Sequence, residues 1–284
     1  MSFDRFLNLG CGSRYLPGWV NVDRCPAEPS VMAIDLRRGI PFPDDSFDFV
    51  YHSHLLEHFS KSEAGPFLRE CLRVLRCGGV IRVVVPDLEQ IARSYLTVLE
   101  QVCLNGGKLT SEYHWRVCLL IDQCVRTKPG GEMGPMMMRA EAPKGELRPL
   151  AARLDGENTV QNPLRPSGQS PRDNGAGSLR LFWRRLCTLR RYPHYARELL
   201  LRILLGPERE ALDAGRFLLQ GEVHKWMYDR SSLAELLSGC GFSDVVPRTA
   251  TESYMPKWAS MHLDTDTDGK VYMADSLFME ALKP

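Results

Sequence analysis

Val80-Ile81-Arg82-Val83-Val84-Val85-Pro86 is a β-branched run bounded by Gly78-Gly79 on one side and a proline on the other. Such a run is the composition of a strand buried on both faces of a parallel sheet. Upstream, Phe67, Leu68, Cys71, Leu72 and Leu75 recur at helical spacing between Glu63 and Leu75, and Cys77-Gly78-Gly79 ends that helix. Downstream, Asp87 opens a second helix that runs to about Leu104. Strand and helix alternate, which predicts an open α/β sheet with right-handed crossovers.

Four short apolar runs precede the first helix: Phe6–Leu9, Trp19–Asp23, Val31–Leu36 and Phe47–Tyr51. Late in the chain, Ser231–Leu237 starts a helix that ends at Gly239-Cys240-Gly241, and Phe242–Val246 and Ser276–Leu282 supply the last two strands. The expected architecture is therefore an open, mostly parallel seven-stranded sheet of Rossmann-like type with helices on both faces. Residues 1–104 and 221–284 form its core, and 105–220 are a long insertion, a lid on the acceptor side that is partly flexible. Within it, residues 129–178 are dense in Pro, Gly, Ser and Asn and read as a long loop containing Met136-Met137-Met138 as a soft cover. Leu179–Leu205 recovers helical spacing and carries arginine at 180, 184, 185, 190, 191, 197 and 202, a solvated face or a surface for an anion. There is no internal repeat.

Composition narrows the partners. Lysine and arginine number 36 against 35 acidic residues, so no global field draws the chain to nucleic acid or an anionic membrane. No nucleic-acid partner is expected, and homo-oligomerisation stays open. No apolar run approaches the roughly 20 residues that span a bilayer, and the opening residues lack a signal-peptide layout, so a cytoplasmic location is expected. Nine cysteines, never spaced Cys-x-x-Cys, argue against a disulfide framework or a thiolate zinc site, and most are expected to be small buried hydrophobes.

The first strand runs into Gly10-Cys11-Gly12, a turn where the backbone bends sharply and admits a close ligand. A dinucleotide fingerprint would need Gly or Ala three residues on, where Tyr15 stands, and a Walker loop would need Gly-Lys-Ser/Thr. The remaining pattern is a glycine turn, an acid ending the second strand (Asp23) and an acid ending the third (Asp35), all on the carboxyl edge of one sheet. That edge suits a nucleoside. Asp23 can accept hydrogen bonds from vicinal ribose hydroxyls, Asp35 one from an adenine amino group, and the Leu36 amide can meet a ring nitrogen.

Leu-Asn-Leu-Gly-Cys-Gly at 7–12, Asn21-Val22-Asp23, the run Asp35 to Asp48, Leu56-Glu57-His58-Phe59 and Leu72-Arg73-Val74-Leu75 before Gly78-Gly79 together resemble the successive motifs of class I S-adenosylmethionine-dependent methyltransferases. His224-Lys225-Trp226-Met227-Tyr228-Asp229 resembles a late motif of the branch associated with glycan and natural-product assembly. The similarity covers about residues 5–100 and 221–284. It implies S-adenosyl-L-methionine as cofactor, S-adenosyl-L-homocysteine as product, and a small-molecule or sugar acceptor methylated at oxygen. It further implies Asn8, Gly10, Cys11, Gly12, Asp23, Asp35, Leu36 and Ser53 as cofactor residues. His58 is the first candidate base, with His54, Glu57 and His224 beside it. Asn8 replaces the family's usual acid, so contact with the methionine ammonium is weaker there or comes from a carbonyl. The connections around the second strand leave little room for the family's first two helices.

Two other patterns compete. His54-Leu55-Leu56-Glu57-His58 matches His-x-x-Glu-His, which on a helix would make a zinc peptidase. Asp264-Thr265-Asp266-Thr267-Asp268-Gly269, with Asp275, repeats the opening of a calcium loop, although an acidic turn between strands explains the same letters. A non-catalytic nucleoside-binding module is the third alternative. Methyl transfer itself calls for no metal.

Overall fold

The computed structural model describes residues 4–26, 28–139 and 193–284. The chain divides into two compact units, Met1–Val160 with Gly221–Pro284, and Gln161–Gln220. The first contains a seven-stranded sheet of β1 (Phe6–Leu9), β2 (Val20–Asp23), β3 (Met32–Ala33), β4 (Phe47–Ser53), β5 (Leu75–Pro86), β6 (Ser243–Arg248) and β7 (Ser276–Leu282). Their order is β3-β2-β1-β4-β5-β7-β6. The first five strands run parallel, and β7 lies antiparallel between β5 and β6. This is the open, mostly parallel Rossmann-like sheet expected. Pairing of Leu9 with Val22 and His52, and of Ser53 with Val84, aligns the carboxyl ends of β1, β2, β4 and β5 on one edge.

The labelled helices are α1 (Lys61–Val74), α2 (Leu88–Leu104), α3 (Ser111–Val117), α4 (Met133–Met138), α5 (Pro193–Leu205), α6 (Arg209–Gln220) and α7 (Arg230–Gly239). Capping fixes where they begin. Ser60 and Glu63 form a capping box for α1, and Asp229 and Ser232 form one for α7, while the Asp87 carboxylate accepts from the Glu89 and Gln90 amides to start α2.

One face of the sheet, with Leu7, Leu9, Val50, Ile81 and Val83, packs on Phe67, Leu68 and Cys71 of α1 and on Leu233 and Leu237 of α7. Helices were expected on the other face too. There the cover is the irregular segment 249–275, which has one 3-10 turn at Trp258–Met261 and sets Ala250, Met255, Trp258 and Leu263 against Phe49, Tyr51, Val84 and Phe278. The cause lies in chain length: among the described residues, the connections 10–19 and 24–31 contain no helix.

A buried ionic network fastens that segment. Arg82, fully buried, donates to Asp264 at 2.7 Å and to Glu280 at 3.0 Å, and Tyr51 and Trp258 also donate to Asp264. These partners compensate the desolvation of charges that would otherwise destabilise the core. The geometry also overturns the calcium reading. Asp264 is turned into the core, Asp266 accepts from the Asp268 and Lys270 amides as a turn residue, and Asp275 faces Arg116 at 3.8 Å.

Residues 105–139 join the first unit instead of standing apart from it. Trp115 of α3 is fully buried with Ile91 of α2, Leu119, Met133 and Met136. The loop expected from residue 129 therefore begins as a short helix, with Met136 in a core and Met138 exposed. Residues 140–178 of that expected loop, and the arginines at 180, 184, 185, 190 and 191, lie outside the described residues, so the flexible-lid reading is described only at its edges. In the second unit, Glu198 of α5 is held by Arg209 and Arg216 of α6. Among the described residues no helix is long and apolar enough to cross a membrane. Every described cysteine is free. Cys11, Cys71 and Cys240 are buried and Cys25, Cys77 and Cys103 exposed, so burial holds for fewer than expected.

His52 of β4 gives this fold a signature in acid. Its ring is fully buried against Phe67, and neither nitrogen has a hydrogen-bond partner among the described residues. Burial, only partly offset by Glu57, pushes its pKa from 6.5 down to about 4. Between those values the unfolded chain binds a proton that the folded chain refuses, so stability falls as pH drops through that window, by up to ~3 kcal/mol. Urea unfolding of wild type and His52→Leu at pH 7 and pH 4.5 checks this. The variant should lose less stability on acidification, and equal losses would remove His52 as the cause.

Candidate functional site

β1 ends in a turn that only glycine accommodates without strain. Gly10 and Gly12 have φ of +64° and +52°, and a Cβ on Gly10 would stand 2.9 Å from the Leu55 side chain. The Cys11 amide donates to the Val22 carbonyl at 3.1 Å, which ties the turn to β2. Burial pushes the Cys11 thiol up to about 12, so it stays neutral.

Asp23, at the end of β2, faces this turn. One carboxylate oxygen accepts from the Gly12 amide and the other from the Cys25 amide, each at 2.9 Å. A carboxylate has about four acceptor positions, so each oxygen keeps capacity for a ligand hydroxyl. Asp35 follows β3, caps the 3-10 turn Leu36–Arg38 by accepting from the Arg37 amide at 3.2 Å, and lies 3.8 Å from Arg38. Leu36 opens that turn, where a first amide has no partner within the turn itself.

Asn8 is fully buried. Its Nδ2 donates to the Arg14 carbonyl and to Asn21 Oδ1, while its Oδ1 is a buried acceptor without a hydrogen-bond partner among the described residues. Arg14 carries the connection onward, donating to the carbonyls of Leu263 and Thr265 and, in a short contact, of His262, and stacking 3.9 Å over Tyr272. The cradle thus has features that fit a nucleoside-bearing ligand: two positive-φ glycines, open space where a Cβ on Gly12 would stand, an acid with acceptor capacity, and an orphan buried acceptor.

Beyond Ser53 the chain leaves β4 through His54, whose φ of +51° is unusual for a residue with a Cβ. The imidazole explains how that conformation is held: its Nε2 lies 2.9 Å from Ser276 Oγ and its Nδ1 3.3 Å from Glu57 Oε1. Through these two contacts His54 ties the turn after β4 to Ser276 and to the Glu57 carboxylate.

Glu57 and His58 lie in the 3-10 turn Leu56–His58. The Glu57 carbonyl accepts from the Lys225 amide at 2.7 Å and the Trp226 amide at 3.3 Å, and this brings His224 to the cluster. His224 Nε2 is 4.0 Å from Glu57 Oε1, and the His58 and His224 rings meet edge to face at 4.9 Å. Burial raises the Glu57 pKa, but the hydrogen bond from His54 and the charges of His54, His58 and His224 outweigh it and hold the carboxyl well below the ordinary range. Tyr228 is buried beside them, its phenol pushed up to about 12 by burial and by Glu57.

The structure therefore gathers the expected residues into two adjacent groups. Asn8, Gly10, Cys11, Gly12 and Asp23 cluster at the glycine turn, with Asp35 and Leu36 after the neighbouring strand. Ser53, His54, Glu57, His58 and His224 form the second group, and Leu55 reaches back over Gly10. The peptidase geometry is absent, because His54 and His58 do not share an α-helix and His54 turns to Ser276. Ser276 and Tyr228 were not foreseen. Nothing local marks Ser276, whereas Tyr228 lies inside the late motif.

Comparison with known proteins supports a cofactor. Residues 17–83 match the family described as a methyltransferase domain, a span that starts after the glycine turn and includes Asp23, Asp35 and the Glu57–His58 turn. That match supports a transferase dependent on S-adenosylmethionine, and S-adenosylmethionine is the cofactor it implies. No curated protein matches the chain. Among solved structures, a chain of a methyltransferase activator complex from Haloferax volcanii aligns at 10% identity and a TM-score of 0.38, covering 99% of this chain and 83% of that one. An S-adenosylmethionine-dependent methyltransferase from Mesorhizobium loti aligns at 19% identity and 0.24, over 31% of this chain and 48% of that one. One from Archaeoglobus fulgidus aligns at 21% and 0.28, over 33% and 51%. This chain thus spans about half the length of the latter two.

Proposed function

We propose that this chain transfers a methyl group from S-adenosylmethionine to an oxygen of a small-molecule or glycan acceptor. One observation carries the reading: the nucleoside-suited turn at Gly10–Gly12 and Asp23 lies against the end of β4, through Leu55, beside a buried carboxylate with imidazoles around it. When bound, S-adenosylmethionine supplies an electrophilic methyl on a sulfonium.

The chain's own residues do the rest. Gly10, Cys11 and Gly12 let the ligand approach the backbone, Asp23 accepts from the ribose hydroxyls, and Asp35 with the Leu36 amide reads the adenine edge. Asn8 and Ser53 face the methionine end. His58 and His224, backed by Glu57, form the polar wall that polarises the acceptor hydroxyl, and His54 orients Glu57. Alignment and exclusion of water supply most of the acceleration. The glycan or natural-product class of acceptor rests on the likeness of His224–Asp229 to that branch.

Gly10→Val tests the cofactor half. The substitution combines a strained φ with a clash against Leu55, so S-adenosylmethionine binding should be abolished while circular dichroism stays native. Undiminished binding would remove the turn from the site. Release of S-adenosylhomocysteine in the presence of hydroxyl and amine acceptors tests the other half. Mass spectrometry of the product should place the methyl on oxygen, and a methylated nitrogen would overturn that assignment.

A further inference from the structure

We infer that Glu57, His58 and His224 form a binding site for a divalent first-row transition-metal ion. One carboxylate oxygen and one nitrogen from each imidazole lie within 4.8 Å of one another, and two of the three residues are buried. Ligand atoms about 2.0–2.2 Å from a shared zinc ion stand roughly 3–3.5 Å apart, so closure requires shifts of about an ångström. Side-chain torsions alone cover that.

Three features separate this set from a chance meeting of polar groups. Its residues come from two distant segments that backbone hydrogen bonds lock together, the Lys225 and Trp226 amides on the Glu57 carbonyl and the His224 amide on the Gln123 carbonyl. Its carboxylate is fully buried, where an anion is costly without cationic or hydrogen-bonding partners, and the groups it faces include the imidazoles of His54 at 3.3 Å and His224 at 4.0 Å. It also has an outer support, since His54 holds the carboxylate with one ring nitrogen and Ser276 with the other. Metal ligands are commonly oriented in this manner.

Two imidazoles and one carboxylate leave coordination positions open, and imidazole-rich sets select zinc, iron, nickel or copper over magnesium or calcium. The set differs from the zinc-peptidase pattern, because His54 is outside it and Glu57 would be a ligand and not a base. His58, the least buried of the three, connects the site to solvent. The inference deepens the methyl-transfer reading and rests on it only for the ion's use: an oxygen of the acceptor would fill an open position and be polarised there.

The test uses the full chain, stripped by chelation and titrated with Zn²⁺ alone, with S-adenosylmethionine binding measured in the same preparation. One equivalent of Zn²⁺ should bind, and His58→Ala and His224→Ala should each weaken it by at least ~10²-fold. His54→Ala should weaken it less. X-ray absorption of the Zn²⁺-loaded wild type provides a readout that does not depend on the variants folding, and imidazole with oxygen scattering is expected. No stoichiometric binding, thiolate scattering, or affinity unchanged in both folded variants would overturn the site. Zn²⁺ bound as expected without S-adenosylmethionine binding would uphold the site and overturn only the cofactor reading. S-adenosylmethionine binding without Zn²⁺ would do the reverse.

Discussion

Replacing Asp23 with alanine is expected to weaken S-adenosylmethionine binding by about two orders of magnitude or more. Two hydrogen bonds to a charged acceptor are lost, each contributing about 1.5–3 kcal/mol before water compensates, and each 1.4 kcal/mol is a factor of ten. A second effect acts in the same direction. Asp23 also holds the Gly12 and Cys25 amides, so its removal loosens the turn that receives the ligand. Asp23→Asn separates the two, because it keeps the shape and one acceptor oxygen while removing the charge, and an intermediate loss is expected. Calorimetric titration of each folded variant measures the ratio. Wild-type affinity in Asp23→Ala would remove this residue from the ribose role.

The second large effect is on turnover. With a hydroxyl acceptor, His58→Ala should lower turnover by roughly 10²–10⁴ while leaving cofactor affinity nearly unchanged. His58 lies in the turn after β4, edge to face with His224 and beside Glu57, whereas the proposed cofactor groups other than Ser53 belong to the ends of β1, β2 and β3. On the proposed reading, truncation removes one of two imidazoles that would polarise the acceptor and leaves the glycine turn and Asp23 untouched. His54→Ala should act through Glu57 and cost less, because its ring reaches the carboxylate and Ser276 instead of the acceptor. Single-turnover rates with saturating S-adenosylmethionine read this directly. A His58→Ala variant with wild-type turnover on its true acceptor would contradict the assignment.

Much of this fold was legible because the strands are largely apolar runs and several of them are closed by glycine, proline or an acid, as β1 is by Gly10, β2 by Asp23 and β5 by Pro86. The glycine turn and Asp23 were legible for a similar reason: their contacts are local, spanning residues 10 to 25. The cover of the second sheet face was not. Segment 249–275 has neither helical nor strand periodicity, and what docks it is Arg82 meeting Asp264 across 182 residues of sequence. Asp264 shows the hazard plainly, since the letters of a calcium loop turned out to include the anchor of a buried network.

The histidines show the same boundary between local and distant. His54-x-x-Glu57-His58 has a suggestive spacing, yet spacing says nothing of Ser276, 222 residues away, which occupies the His54 ring. Nor does it show that His224 returns to face Glu57, a convergence that depends on where the chain re-enters the sheet after residue 220. The short connections flanking β2 could be read in advance as leaving little room for the usual first two helices, although helices on both faces were still expected. What replaced them could not be read.

The carboxyl edge of the sheet is proposed to bind S-adenosylmethionine. Titration of the purified full chain with S-adenosylmethionine, followed by calorimetry, tests it most directly. Saturable binding at one site per chain, abolished by Gly10→Val in a folded protein, is the expected result. A folded wild-type chain that shows no binding, or binding that Gly10→Val leaves intact, would contradict it.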